Sequence, residues 1–141
     1  MTSVVETCEI TLDQRHLHAD RLAAMWQDAQ DADRRFAHEG GCTVTFGDLW
    51  NIGPIPFHPE LIEAADAAIL DVVPRSHRLP SGPLHDAAEV ARAGVPTAML
   101  FVQSLRGISH NRVEDTEERH ILQSVRALDR LTDRTLAWLG Q

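Results

Sequence analysis

Basic residues are scarce in this 141-residue sequence, which has 13 lysine and arginine residues against 21 aspartate and glutamate residues and a net charge of -8. The densest basic pair is Arg34 and Arg35, so no cationic stripe is available to neutralise a nucleic-acid backbone. No segment approaches the roughly 18 continuous apolar residues of a membrane span, and the N-terminus lacks a signal-peptide pattern. We therefore expect a cytoplasmic protein that binds neither nucleic acid nor membranes.

Cysteine is equally rare, with only Cys8 and Cys42 in the chain. Their separation fits neither a CxxC motif nor a zinc-finger spacing, which argues against a disulfide framework and against a structural zinc site. Both lie in strand-like segments, so we expect buried, reduced thiols.

The composition is otherwise that of an ordinary globular protein, with 43% hydrophobic and 24% charged residues. The length fits one average domain or two small lobes. Histidine is abundant at eight residues, and five of these fall at element ends or in loops, where polar sites are often built: His16, His18, His58, His85 and His110.

Apolar residues at three- and four-residue spacing predict four helices. The first covers residues 19–38 and is stopped by Gly40 and Gly41. The second begins at Pro59, and the third is short, over residues 86–93. The fourth begins at Asp115, where Asp-Thr-Glu-Glu resembles a capping box.

Alternating or continuous apolar stretches predict strands over residues 4–14 and 42–50, a short strand before the loop at residue 81, and a buried central strand over residues 95–102. The proline-rich run 51–59 predicts a boundary between two lobes. The expected fold class is therefore α/β, with one lobe over residues 1–56 and a second over residues 57–141.

Three motifs carry the functional information: TLDQRH (residues 11–16), LPSGPLHDA (79–87) and VPTAMLFVQSLRGISHN (95–111). In this order they resemble the metal-dependent amidohydrolases of the peptidase/acylase superfamily, of the N-carbamoyl-L-amino-acid hydrolase, allantoate amidohydrolase and beta-alanine synthase type. The resemblance covers nearly the whole chain but only about the C-terminal third of such an enzyme. It implies a strand-helix-strand half of a ferredoxin-like lid and dimerisation domain, followed by an incomplete α/β catalytic domain.

The resemblance also assigns roles to individual residues. His110 falls on a histidine that ligates one of two divalent metal ions, zinc or manganese. Arg15 falls on a lid arginine that clamps the substrate carboxylate, and Ser81, Gly82 and His85 fall on the loop that lines the substrate pocket. Taken without the resemblance, Arg15 fits a surface salt bridge and His85 a helix cap. His16 and His18 also have a spacing that could bind zinc, although two ligands rarely hold a metal without a third.

The remaining metal ligands and the general base of the family precede the matched region, so no catalytic residue is expected in this chain, and its metal site is incomplete. Pro83 and Leu84 replace the family's Ala-Gly, which puts the pocket's substrate in doubt. Two functions remain open. One is a fragment or split subunit of an amidase cleaving the C–N bond of N-carbamoyl or related N-acyl amino acids. The other is a non-catalytic degenerate homologue that serves as a binding or dimerisation module. We expect a homo-oligomer or a complementary catalytic segment as partner, and a small-molecule substrate.

Overall fold

The structure, a computed structural model, describes residues 5–47 and 50–140. These residues form four α-helices: α1 (Ala19–Gly40), α2 (Pro59–Leu70), α3 (Asp86–Arg92) and α4 (Glu118–Leu139). A short 3-10 turn, Leu105–Gly107, lies between α3 and α4. The chain divides into two compact units, Met1–Pro54 and Ile55–Gln141. None of the helices in the described ranges is both long and apolar enough to cross a membrane.

Helix α1 confirms the first predicted helix and lies in the first unit. It runs two residues past the predicted end, to Gly40, and stops there because Gly41 takes the left-handed conformation (φ 66) and its N–H donates to the carbonyl oxygen of His38. The ring of Trp26 meets Phe46 edge-on, with centroids 5.8 Å apart. No residue of α1 is buried, so its apolar stripe is only partly covered.

The core of the second unit lies between α2 and α4. Pro59 occupies the first turn of α2, as predicted, because its missing N–H has no helical partner there. The buried side chains are few and mostly small: Leu61, Ala65 and Ala68 on α2, Ala88 on α3 and Ala127 on α4. Small side chains let two helix backbones approach closely, but they bury little apolar area.

Polar contacts join the ends of α2 and α4. Arg134 Nη2 lies 2.6 Å from the Asp71 carboxylate, and the indole N–H of Trp138 donates to Glu60. The ring of Trp138 also lies against His58, with centroids 5.2 Å apart. These contacts fix the register of the two helices, while the buried alanines allow their approach.

The predicted start of the last helix is wrong by three residues, because α4 begins at Glu118 rather than at Asp115. The carbonyl of Asp115 accepts the N–H of Leu105 at 2.7 Å and is therefore engaged outside the helix. The carboxylate of Asp115 accepts the N–H of Thr116, and no side chain caps α4. The hydrogen bond from Leu105 thus outweighs the local capping signal.

The predicted α/β fold is wrong for the part of the chain that the structure describes, which contains helices and extended segments but no strand or sheet. The strand-helix-strand half of a ferredoxin-like lid and the α/β catalytic layer are therefore absent from residues 5–47 and 50–140. Residue 4 of the first predicted strand and residues 48 and 49 of the second lie outside the described residues.

The physical reason for this error is that a strand exists only through hydrogen bonds to a neighbouring strand. Alternation of apolar residues indicates which side chains could share a face, but it does not supply the neighbour. The apolar side chains of these segments are exposed instead: Ile10 by 84%, Val5 by 77% and Trp50 by 74%. The prediction of buried thiols is wrong for the same reason, since Cys8 and Cys42 are both exposed.

A polar network ties the segment after α2 back onto that helix. Arg78 donates to Asp66 at 2.5 Å and also pairs with Glu63 at 2.7 Å, and the Ser76 hydroxyl donates to Asp66 at 2.6 Å. The hydrogen bonds from Ser76 and Arg78 hold the pKa of Asp66 below its ordinary value. Asp66 therefore stabilises this unit in its ionised form.

Replacing Asp66 with asparagine is expected to lower the free energy of unfolding by about 1 kcal/mol at pH 7. A carboxyl whose pKa is lower in the folded chain stabilises it above the ordinary value of 3.8, and this contribution is lost as the pH falls through the folded-state pKa. Denaturant unfolding at pH 7 and pH 3 should therefore show a larger difference between wild type and Asp66→Asn at pH 7 than at pH 3. Asp133→Asn, on the exposed surface of α4, is the matched control. A difference that is larger at pH 3 would contradict the network's role.

Candidate functional site

The RGISH segment (residues 106–110) forms a tight turn between the extended apolar segment that precedes it and α4. Arg106, Gly107 and His110 all have positive φ, at 58, 66 and 56. Glycine takes this conformation freely, but for Arg106 and His110 it is strained. The hydrogen bond from the N–H of Leu105 to the carbonyl oxygen of Asp115 closes the base of the turn. The turn thus presents His110 on a constrained backbone.

His110 is held at its backbone and at its ring. Its N–H donates to the Glu114 carboxylate at 2.7 Å, and its ring Nδ1 lies 2.6 Å from the Ser109 hydroxyl. The N–H of Glu114 donates in turn to the carbonyl oxygen of Asn111 at 2.9 Å. His110 is exposed. With Nδ1 engaged by Ser109, the other ring nitrogen, Nε2, is the one available to an external ligand.

The donor set fits a divalent metal in part. A neutral imidazole is a suitable ligand for zinc, and the strained, hydrogen-bonded position of His110 is of the kind found at functional sites. However, within residues 5–47 and 50–140 no group of three or more histidine, cysteine, aspartate or glutamate side chains is arranged to hold a metal ion. His110 could therefore serve only as one ligand of a site that other residues complete.

The predicted substrate-binding loop precedes α3. The Ser81 hydroxyl donates to the carbonyl oxygen of Pro83 at 2.6 Å, and Gly82 lies between them. His85 is the N-cap residue of α3, but its side chain makes no capping hydrogen bond, so the helix-cap interpretation is wrong. Its ring lies edge-on against Phe101 instead, with centroids 6.3 Å apart. This contact links the loop to the apolar segment that leads to His110.

Arg15 forms a surface ion pair, which is the interpretation that its sequence supports without the family resemblance. Its Nη2 lies 2.5 Å from Asp13 Oδ2, and its Nε lies 3.1 Å from both oxygens of that carboxylate. The hydrogen bond lowers the pKa of Asp13 and raises the pKa of Arg15. Arg15 belongs to the first unit, whereas Ser81, His85 and His110 belong to the second. The carboxylate-clamp role of Arg15 stays a prediction.

The histidine pair near Arg15 is close but incomplete as a metal site. The rings of His16 and His18 have centroids 5.5 Å apart, and the N–H of His18 donates to His16 Nδ1 at 3.0 Å. No third ligand accompanies them among the residues that the structure describes. The pair therefore remains a two-ligand arrangement.

The sequence analysis did not name the residues that contact the predicted site residues. Ser109 and Glu114 hydrogen-bond to His110, Asp13 forms an ion pair with Arg15, and Phe101 contacts the ring of His85. Proximity in sequence was a usable signal for the first three, because they lie one, four and two positions from their partners. No local signal pointed to Phe101, because it reaches His85 through tertiary structure.

Comparison with known proteins extends these observations. The allantoate amidohydrolase of Escherichia coli (strain K12) is 32% identical over 133 residues, which is 91% of this chain and 31% of the relative. That of Bacillus subtilis (strain 168) is 31% identical over 120 residues, 85% of this chain and 29% of the relative. The N-carbamoyl-L-amino acid amidohydrolase of Geobacillus stearothermophilus is 29% identical over 111 residues, 79% of this chain and 27% of the relative.

The chain thus spans less than a third of the length of these relatives. No solved structure matches it. The family model of peptidase family M20/M25/M40 matches residues 3–134, which is most of the sequence. The chain therefore belongs to the hydrolases of peptidase family M20/M25/M40.

Proposed function

We propose that this chain is part of a metal-dependent amidohydrolase that cleaves the C–N bond of an N-carbamoyl or related N-acyl amino acid. The observation that carries the proposal is the turn at His110, which leaves Nε2 available on a constrained backbone. The similarity to allantoate and N-carbamoyl-L-amino acid amidohydrolases supports the reaction class. The family is generally metal-dependent, which agrees with a histidine as the principal site residue.

In this proposal each predicted residue has a physical role. His110 provides one imidazole ligand, and the bound metal, zinc or manganese, would activate water and polarise the scissile carbonyl. Arg15 binds the carboxylate of the substrate and so orients it, because a planar guanidinium donates two parallel hydrogen bonds. Ser81, Gly82 and His85 line the pocket, and the exposed Leu84 restricts the groups that can enter.

The chain needs a partner to complete this site. The described residues hold no group of three metal ligands, and a metal centre requires several ligands with their own supporting contacts. We therefore propose that a complementary catalytic segment supplies the general base and the remaining ligands. We use this term for the part of an M20 amidohydrolase that this chain does not match.

Exposed apolar surface on α4 also supports association. One face of the helix packs on α2, while another face exposes five large apolar side chains at three-, four- and eight-residue spacing: Ile121, Val125, Leu128, Leu136 and Leu139. Contiguous apolar patches of this kind mark interaction sites. We propose that a second copy of the chain or the complementary segment covers this stripe.

The isolated chain is expected to be inactive and to associate. Light scattering should show a dimer or larger species, and assays with allantoate or N-carbamoyl-L-amino acids should show no metal-dependent hydrolysis. Leu128→Glu should weaken the association about tenfold or more, because it places a charge within the stripe. Ala137→Glu adds the same charge on an exposed part of α4 outside the stripe and should not. A clean monomer at high concentration would contradict the proposed association.

The second candidate function is a non-catalytic binding or dimerisation module. It is favoured by one observation, the absence of a three-ligand metal group in the described residues. The two functions differ in their response to metal. A module should show a midpoint of thermal unfolding that is insensitive to zinc or manganese in the presence of the complementary segment, whereas a metal-site component should be stabilised.

A further inference from the structure

We infer that Ser109 and Glu114 are positioning residues that fix which nitrogen of His110 faces a metal ion. The inference rests on the proposed role of His110 as a metal ligand, and it assigns roles to two residues that the sequence motifs left without one. It is carried by two contacts: Glu114 accepts the N–H of His110 at 2.7 Å, and the Ser109 hydroxyl lies 2.6 Å from His110 Nδ1.

The backbone contact explains how His110 keeps an unfavourable conformation. A φ of 56 brings the Cβ of an L-residue close to the backbone, so such residues need support from their surroundings. The Glu114 carboxylate accepts a charge-assisted hydrogen bond from the N–H of His110. The N–H of Glu114 also donates to the carbonyl oxygen of Asn111, and the N–H of Val113 to the side chain of Asn111 at 3.2 Å. Glu114 therefore closes the turn with its side chain as well as its backbone.

The ring contact is compatible with the tautomer that a metal ligand needs. A histidine that binds a metal through one nitrogen carries its proton on the other, and that N–H donates to a fixed acceptor. At His110 the partner of Nδ1 is the Ser109 hydroxyl, which accepts a hydrogen bond in the Nδ1–H tautomer and donates one in the other tautomer. We assign it the accepting role. With the proton on Nδ1, the lone pair of Nε2 is free. Ser109 thus orients the imidazole as a metal ligand before any metal binds.

Long-range proton–nitrogen NMR on the labelled, metal-free chain at pH 8.5 tests the tautomer directly, since ordinary imidazoles are neutral there. Wild type should show His110 mainly as the Nδ1–H tautomer. Ser109→Ala should shift it to the Nε2–H form that a free imidazole favours. His38, which is exposed on α1, serves as an internal control. A major Nε2–H tautomer in the wild-type chain overturns the inference, as does a spectrum that Ser109→Ala leaves unchanged.

A titration with zinc alone, followed at the same resonances at pH 7.5, tests the consequence for the metal. Because His110 is a single ligand in this chain, zinc should bind it only weakly. The binding should occur through Nε2 in the wild-type chain and should be about tenfold weaker still in Ser109→Ala. Glu114→Ala should have a similar effect and should change the backbone coupling of His110, whereas Glu114→Gln, which keeps an acceptor oxygen, should restore both. Zinc binding that is equal in wild type and Ser109→Ala overturns the positioning role.

These readouts are independent of catalysis. Neither experiment uses substrate or the complementary segment, so a failure here leaves the proposed amidohydrolase function standing. Conversely, if His110 proves dispensable for hydrolysis, the proposed function of His110 fails even where the tautomer is fixed as described.

Discussion

His110→Ala is expected to abolish hydrolysis by the complex of this chain with its complementary segment, lowering kcat by more than roughly 100-fold. Loss of a residue that only supports a metal ligand typically costs 10- to 100-fold, and loss of the ligand itself should cost more. The substitution removes no buried side chain, because His110 is exposed, and it leaves α2 and α4 untouched. The complex should therefore still form.

Steady-state kinetics with allantoate or an N-carbamoyl-L-amino acid, together with metal analysis of the purified complex, measure this effect. The matched control is His38→Ala, which removes an exposed histidine from α1. Wild-type turnover should persist in the control. A fully active His110→Ala complex would remove the metal-ligand assignment and the main support for the site.

Arg15→Lys is expected to act on substrate binding rather than on turnover. Lysine keeps the positive charge but loses the two parallel donors of the guanidinium, so we expect KM to rise about tenfold with a smaller change in kcat. A tenfold rise in KM corresponds to the loss of about one hydrogen bond to a charged group. The same kinetic assay measures it, with KM and kcat determined separately.

The ion pair between Arg15 and Asp13 provides a second test of this prediction. Asp13 occupies the guanidinium of Arg15 in the chain as it stands, with contacts of 2.5 Å and 3.1 Å. If the substrate carboxylate takes that place, Asp13→Asn should lower KM by removing a competitor for Arg15. If the ion pair is only a surface contact, Asp13→Asn and Arg15→Lys should both leave KM unchanged, which would contradict the clamp.

The helices were predictable from the sequence because their signals are local. The apolar stripe of α1, Gly41 after its end and Pro59 at the start of α2 each act over one or two turns of backbone. The start of α4 was misplaced because the carbonyl of Asp115 is engaged by Leu105, ten positions earlier in the chain. A capping signal read from neighbouring residues does not include such a contact.

The strands were not predictable because their formation depends on partners. Residues around Ile10 and Phe101 have suitable side chains, but no neighbouring strand pairs with them in the described ranges, and both side chains are exposed. The candidate site was predictable only in part. The sequence motif pointed to His110, whereas the hydrogen bonds of Ser109 and Glu114 depend on how the turn folds.

We propose that this chain completes a hydrolytic metal site with residues supplied by another segment. The most direct test is the rate of metal-dependent hydrolysis of allantoate and N-carbamoyl-L-amino acids by the purified chain, alone and after addition of the complementary segment. We expect no turnover by either component alone and zinc- or manganese-dependent turnover by the mixture. Turnover by the chain alone, or a stable complex that binds metal but hydrolyses neither substrate class, would contradict the claim.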